Sequence, residues 1–499
     1  MDRSGTVKAL LALLSTPLLA CGNTLLDHDA DPSLLALDCG ANAVGCNGVC
    51  VSCGPFENGQ PACLAGTCGV RCDAGFNQCT SAPVCTAESG TSCGPSCADC
   101  GPLAPANASP ACAAHACSFA CNPGYLKSGS ACQRAVAVSA GYEHTCALTA
   151  DGRVKCWGSN DSGQLGNGST ENSSGTPVDV ALPGSAQGIV AGYDHSCAVV
   201  SGAVYCWGDN TFGELGDGTT NSSPTPVAVS ALTADVVGLG AGGGIRNGTT
   251  SFGHTCALHA AGALSCWGDN ASGQLGDGTT TTRLTPVPVT VLAPGTAVTS
   301  VACGERHTCA IAGGAVFCFG ANDSGQLGIG SSGAQTTPAT AAVPSGASSV
   351  ATGQAHSCAV VGSGLQCWGL NTSGQVDAGN SGNGAYPSPL AVPLGTTLPS
   401  IVGTGRAHTC AADGTALPGV PVCFGADNAD QLGSAAGSLA SVSLLAPAAA
   451  VVSLTGGENH TCVLTGEGGV QCWGADDVGQ LGNGTVGGMS AAPSYASGL

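Results

Sequence analysis

From about residue 135 onward, short apolar runs alternate with glycine-rich polar breaks, and the alternation is itself periodic. One unit reads Gly, two residues, His-Thr-Cys-Ala-Leu, a brief turn, Cys-Trp-Gly, an Asn or Asp, Ser-Gly-Gln-Leu-Gly, a polar loop and Thr-Pro-Val. Its histidine returns at His144, His195, His254, His307, His356, His408 and His460, in steps of 51, 59, 53, 49, 52 and 52 residues. Each unit offers about four β-prone runs too short to be helices; in one of them these are 286–291, 300–302, 307–311 and 316–319. Four strands in a radially repeated unit form a propeller blade. The pattern therefore predicts an all-β fold, a seven-bladed β-propeller over 133–499.

Paired cysteines sharpen that expectation. Folding the chain about Ser201-Gly202 as a two-residue hairpin sets Cys197 opposite Cys206. Cys309 meets Cys318 about Gly313-Gly314, and Cys358 meets Cys367 about Gly362-Ser363. Where the spacing grows by one, in Cys146 with Cys156, Cys256 with Cys266 and Cys462 with Cys472, the turn has three residues ending in Gly152, Gly262 or Gly468, as a bulged turn requires. Counting out from the turn places each pair at a non-hydrogen-bonded position, where Cα atoms approach to ~4.5 Å and a disulfide can form. Cys410 and Cys423 enclose a longer loop with Pro418 and Pro421, and their pairing is less tightly specified.

The repeated string resembles the regulator of chromosome condensation repeat family over essentially all of 135–499, and the resemblance implies a seven-bladed propeller. The best-known member of that family performs guanine-nucleotide exchange on a small GTPase. No wedge signature of that activity is recognisable here, so the resemblance is an expectation of fold more than of activity.

The first unit lacks a preceding Pro-Val strand and the last ends in a surplus one, 493–499. This predicts that the C-terminal strand completes the first blade and closes the ring. Trp157, Trp207, Trp267, Trp368 and Trp473, with Phe319 and Phe424, fill one slot in every unit and read as core. The seven histidines lie on a pseudosymmetric ring and read as structural, bonding a neighbouring turn, rather than as metal ligands. The stretches 160–166 and 322–328 resemble calcium loops only faintly; without a terminal bidentate glutamate they read as turns anchored by Asn and Gly. Residues 238–243 match a dinucleotide-binding string that no helix follows. Three places break the repeat: an insertion at 241–253 carrying Arg246, Val376-Asp377 in place of Leu-Gly, and Asp430 in place of Gly. No catalytic constellation, metal site or cofactor site emerges, and these loops are the candidates for a binding face.

The N-terminal quarter is built differently. Residues 1–20 carry Arg3, Lys8 and an apolar stretch ending Leu-Leu-Ala before Cys21, which reads as a lipoprotein signal with Cys21 as the acylated residue. Residues 21–38 form a tether. Over 39–132, two small disulfide-rich modules of eight cysteines each repeat their spacing and loosely resemble cysteine-rich growth-factor-type modules. Eight cysteines allow 105 pairings, and the spacing selects none. Cys50 with Cys53 and Cys97 with Cys100 have zinc-knuckle spacing, which export argues against, and 90–94 matches a nucleophile-elbow string without strand-to-helix context. Cys303 remains over and is read as a buried free thiol where other units carry Ala140 or Ala191.

Composition then narrows the setting. Thirty-two cysteines, 80 glycines and 8% charged residues fit an exported, disulfide-bonded β protein, placed at the outer membrane or cell surface. The net charge of −20 and the absence of any basic run argue against nucleic acid and leave room for cationic partners. The leading expectation is a surface-anchored binding or scaffolding module that takes a protein or glycan on its propeller loops and is held to the membrane by its N-terminal lipid. The alternatives are an exported propeller enzyme acting on glycans, for which no acid pair is visible, exchange-like activity, and loop-borne inhibition of another protein, as in a relative of the same fold class that inhibits β-lactamases.

Overall fold

The computed structural model describes residues 106–496, apart from 114–115, 129, 172, 247–249, 291–295, 381, 383, 418, 434–438 and 446–448, together with the backbone of short antiparallel strand pairs between 43 and 99. Every regular element among the described residues is a β-strand. The signal segment, Cys21, the tether and the pairing of the module cysteines up to Cys117 lie outside the described residues. Cys121 is bonded to Cys132, with Cα atoms 5.5 Å apart.

Seven antiparallel sheets follow one another in the chain, each with its strands in sequential order. Blade one comprises Ala131–Ala140, His144–Thr149, Val154–Gly158 and Ser174–Asp179, and Tyr125–Ser128 pairs with the start of its first strand. The compact unit that holds the propeller accordingly takes in 120–499 and also 105–108. Blades two to seven begin at Ala186, Val236, Val298, Ala347, Ile401 and Val451. Blade seven ends with Met489–Tyr495, paired to Val470–Ala475 of its own sheet.

This corrects the expected closure. The Thr-Pro-Val strand is the outermost strand of its own blade and does not lead into the next: Arg283–Pro288 pairs with Leu264–Gly268, not with the blade that starts at Val298. The C-terminal strand therefore stays in blade seven, and the ring closes by packing rather than by strand exchange. A run of short strands fixes where strands lie but not which neighbours share a sheet, and the boundary between blades falls one strand later than the spacing predicts.

The hairpins take the register their turns dictate. Ser201 and Gly202 both have positive φ, 53° and 79°, as the tight two-residue turn demands, and Cys197 stands directly opposite Cys206. All seven hairpin pairs, including Cys410 with Cys423, are bonded with Cα atoms 4.0–4.1 Å apart. Each core lies between blades: Cys146, Cys156 and Leu165 of blade one pack with Trp207 of blade two, and Cys462, Cys472 and Leu481 of blade seven pack in the same way on Trp157 of blade one. The seventh junction is thus built like the other six.

Candidate functional site

A hydrogen-bonded circuit runs through the blade junctions. The imidazole Nε2 of each blade lies 2.8–3.0 Å from the Ser or Thr hydroxyl that follows the histidine of the next blade: His144 to Ser196, His195 to Thr255, His254 to Thr308, His307 to Ser357, His356 to Thr409, His408 to Thr461, and His460 back to Thr145. Each hydroxyl donates in turn to a main-chain carbonyl of the preceding blade, as Thr145 does to Gln480 and Ser196 to Gln164. The same carbonyls accept the indole N–H of Trp157 and Trp207. A hydroxyl has one proton, so where it serves the carbonyl, Nε2–H must be the donor to the oxygen and Nδ1 is bare. All seven rings are fully buried. Burial lowers their pKa values to about 3, or about 4 for His195 and His408, and keeps them neutral. The histidines therefore bond a neighbouring blade and not, as the sequence suggested, a neighbouring turn.

The turn leading into each histidine lies at one end of the ring. Its glycine has no room for a Cβ: one at Gly353 would stand 2.4 Å from the Gly405 carbonyl oxygen, and one at Gly405 2.5 Å from that of Gly457. The turns are stitched to one another by main-chain bonds, including Glu305 N–H to Gly353, Arg406 N–H to Gly457 and Glu458 N–H to Tyr142. Both residues between this glycine and the histidine vary among the blades, and the first of them faces the centre of the ring. It is Tyr142, Tyr193, a glycine in blade three, Glu305, Gln354, Arg406 and Glu458. These residues surround a cavity of ≈ 140 Å³ at the centre of the ring.

The basin has a definite chemistry. The rings of Tyr142 and Tyr193 stack with centroids 3.9 Å apart. Burial and a hydrogen bond to Glu458 push the Tyr142 hydroxyl up to about 12, and Glu458 also accepts from the half-exposed Arg406 guanidinium. Burial raises the Glu305 carboxyl. Tyr193 is 7% exposed, and the only group beside its hydroxyl is the hydroxyl of the stacked Tyr142. Beneath the basin, Cys303 is a buried free thiol whose pKa burial pushes up to about 12.

Carboxylates crowd one side of this face. Burial first, and then Asp209 and Glu143, raise Asp194 to about 7; burial and Asp209 raise Glu214 to about 8. Glu143 is raised by burial and by Glu458, Asp161 and Asp477. Glu214 stands where six other blades have glutamine, and the blade-three insertion answers it. The insertion is an extended hairpin, Val236–Arg246 against Thr250–His259, in which Gly253 N–H donates to Glu214 and Ser251 Oγ to Asp209.

The other irregular positions are structural. Asp377 accepts from the Tyr386 hydroxyl, and Asp430 adopts φ 60° where the equivalent glycines do. In the 160–166 stretch, Asn160 Oδ1 accepts from Leu165 N–H and Gln164 Oε1 from Ser162 N–H, so the polar atoms are used on their own turn. No metal-binding cluster occurs among the described residues. The hairpin cysteines are dispersed through the seven junctions and converge on nothing. Sequence reasoning found the insertion at 241–253 but missed the rim residues; the signal was the pair of varying positions inside the otherwise repeated Gly-x-x-His.

Residues 135–164, 187–214, 298–326 and 451–480 match one profile of the Regulator of chromosome condensation (RCC1) repeat, and 151–199, 201–245, 261–311 and 313–360 match a second of the same description. The chain therefore carries these repeats. It is 32% identical over 207 residues to the human probable E3 ubiquitin-protein ligase HERC3, covering 40% of this chain and 18% of that protein. It is 31% identical over 202 residues to the Arabidopsis thaliana ultraviolet-B receptor UVR8, covering 40% of this chain and 44% of the receptor. The matches thus span less than half the length of these relatives. The crystal structure of Prp20p from Saccharomyces cerevisiae, described with its binding to Gsp1p and histones, superposes with a TM-score of 0.59 at 18% identity, covering 73% of this chain and 87% of that one. That similarity shows the fold.

Proposed function

We propose that this chain is a surface-displayed protein-binding module that engages its partner through the face carrying the central basin and the blade-three hairpin. One observation carries the reading: the framework repeats in seven blades while the residues between its glycine and histidine vary, and the first of these surrounds a cavity. Framework positions must satisfy the same packing in every blade, whereas a surface that meets one asymmetric partner has no reason to repeat. The protein partners of Prp20p support the kind of partner, and the exported, lipid-anchored placement read from residues 1–21 supplies the setting in which it would be met.

A photo-crosslinking amino acid at Ile245, on the basin face, tests the reading against one at Val237, at the other end of the same strand. Both side chains are exposed. Crosslinking of a discrete protein from Ile245 and not from Val237 is the expected result. Equal yields from the two sites would overturn it, and transfer to glycan alone would replace a protein partner by a carbohydrate.

A further inference from the structure

Resting on that reading, we propose that the central basin is the seat for one cationic side chain, a lysine or arginine presented by the partner's binding segment. Three features of the basin converge on a cation. The stacked pair Tyr142 and Tyr193 supplies aromatic surface, which attracts ammonium and guanidinium groups. Two carboxylates, Glu305 and Glu458, meet there with only one resident cation, Arg406, whose ion pair is with Glu458. Glu305 is hydrogen-bonded to Gln354 and feels Arg306 and Arg406 from a distance, but it has no ion pair of its own among the described residues, and burial holds its carboxyl above the usual range. The hydroxyl of Tyr193, nine-tenths buried with only the Tyr142 hydroxyl beside it, lines the same cavity and has lone-pair capacity left to accept from an incoming N–H.

Size and field agree with this. A cavity of ≈ 140 Å³ suits the tip of one side chain and no folded element. On the adjoining rim, burial raises the Glu143 and Asp194 carboxyls, and the negative charges of Asp161 and Asp477 near the first and Asp209 near the second raise them further, which marks negative charge gathered on this side. Such a rim steers a basic segment toward the basin and orders it around the inserted side chain. Arg406 holds Glu458 in the meantime, so the resident arginine competes with the incoming one for a carboxylate.

The full chain should bind the pentapeptides Gly-Gly-Lys-Gly-Gly or Gly-Gly-Arg-Gly-Gly, with blocked termini, in titrations followed by NMR or calorimetry, and not the Gln or Glu analogues. Glu305→Gln should weaken that binding tenfold or more. Arg406→Gln should strengthen it severalfold, because it releases Glu458. Near-ultraviolet circular dichroism of both variants shows whether they fold. Affinity for the Glu peptide that depends on Arg406, cation binding unchanged in Glu305→Gln, or weaker binding in Arg406→Gln each overturns the proposal. Crosslinking from Ile245 that persists undiminished in Glu305→Gln leaves the partner-binding face standing and removes the basin from it. Peptide binding without crosslinking does the reverse.

Discussion

His408 and Arg406 are two residues apart, yet they belong to different kinds of structure. His408 is fully buried and bonded to Thr461 of the next blade, one of seven equivalent links. Arg406 is half-exposed at the basin, where the blades present Tyr, Gly, Glu, Gln and Arg rather than one repeated residue. The circuit repeats because every junction must solve the same problem of buried donors and acceptors; the rim varies because solvent satisfies whatever the framework does not. Repetition within one chain therefore separates support from surface, residue by residue.

The largest effect that distinguishes the two regions should come from acid. The junction histidines have folded-state pKa values of about 3 to 4, while unfolded ones titrate near 6.5. Between these values the unfolded chain binds more protons, so stability is fully present above pH 6.5 and is lost as the pH falls toward 4. Asp194 and Glu214, raised to about 7 and about 8, act with the opposite sign: their folded forms hold protons that unfolding releases. Net uptake near pH 5 should be about five protons per molecule on unfolding. The pH dependence of urea midpoints measures it, and a slope near zero between pH 4.5 and 6 would remove the histidines from the framework.

Next in size is the hairpin staple. Replacing Cys197 and Cys206 together by serine should cost about 2–3 kcal/mol, the closure entropy of a loop of about ten residues. Urea denaturation checks it. His408→Leu should follow at about 2 kcal/mol, since it leaves the Thr461 hydroxyl and a buried junction short of a bond. Arg406→Ala, at the rim, should change stability by less than about 1 kcal/mol. If the two substitutions cost the same, the division into circuit and rim fails.

An effect smaller than that of the junction histidine is expected at Glu214. Substitution by the glutamine present in the other blades should flatten the decline in stability above pH 7 by about 1 kcal/mol, because a carboxyl that must ionise in a buried site is removed. Thermal midpoints at pH 6 and pH 8.5 compare the two forms. An unchanged alkaline slope would mean that Glu214 is not the group responsible.

The amino-acid sequence by itself determined the number of blades, the hairpin registers and the packing role of the Trp slot. All three follow from local rules: a turn type chooses its residues, alternation chooses a face, and a repeat chooses an architecture. Even the irregular Asp430 and Val376-Asp377 were visible as departures, although only their surroundings revealed them as structural. Tertiary structure alone decided which strand belongs to which blade, and so how the ring closes, because sheet membership depends on neighbours that a linear spacing does not identify. It also decided that Tyr142, Tyr193, Glu305, Arg406 and Glu458 meet around one cavity. Successive residues of this set stand roughly 50 to 110 positions apart along the chain, and closing the ring is what turns one residue per repeat into a shared site.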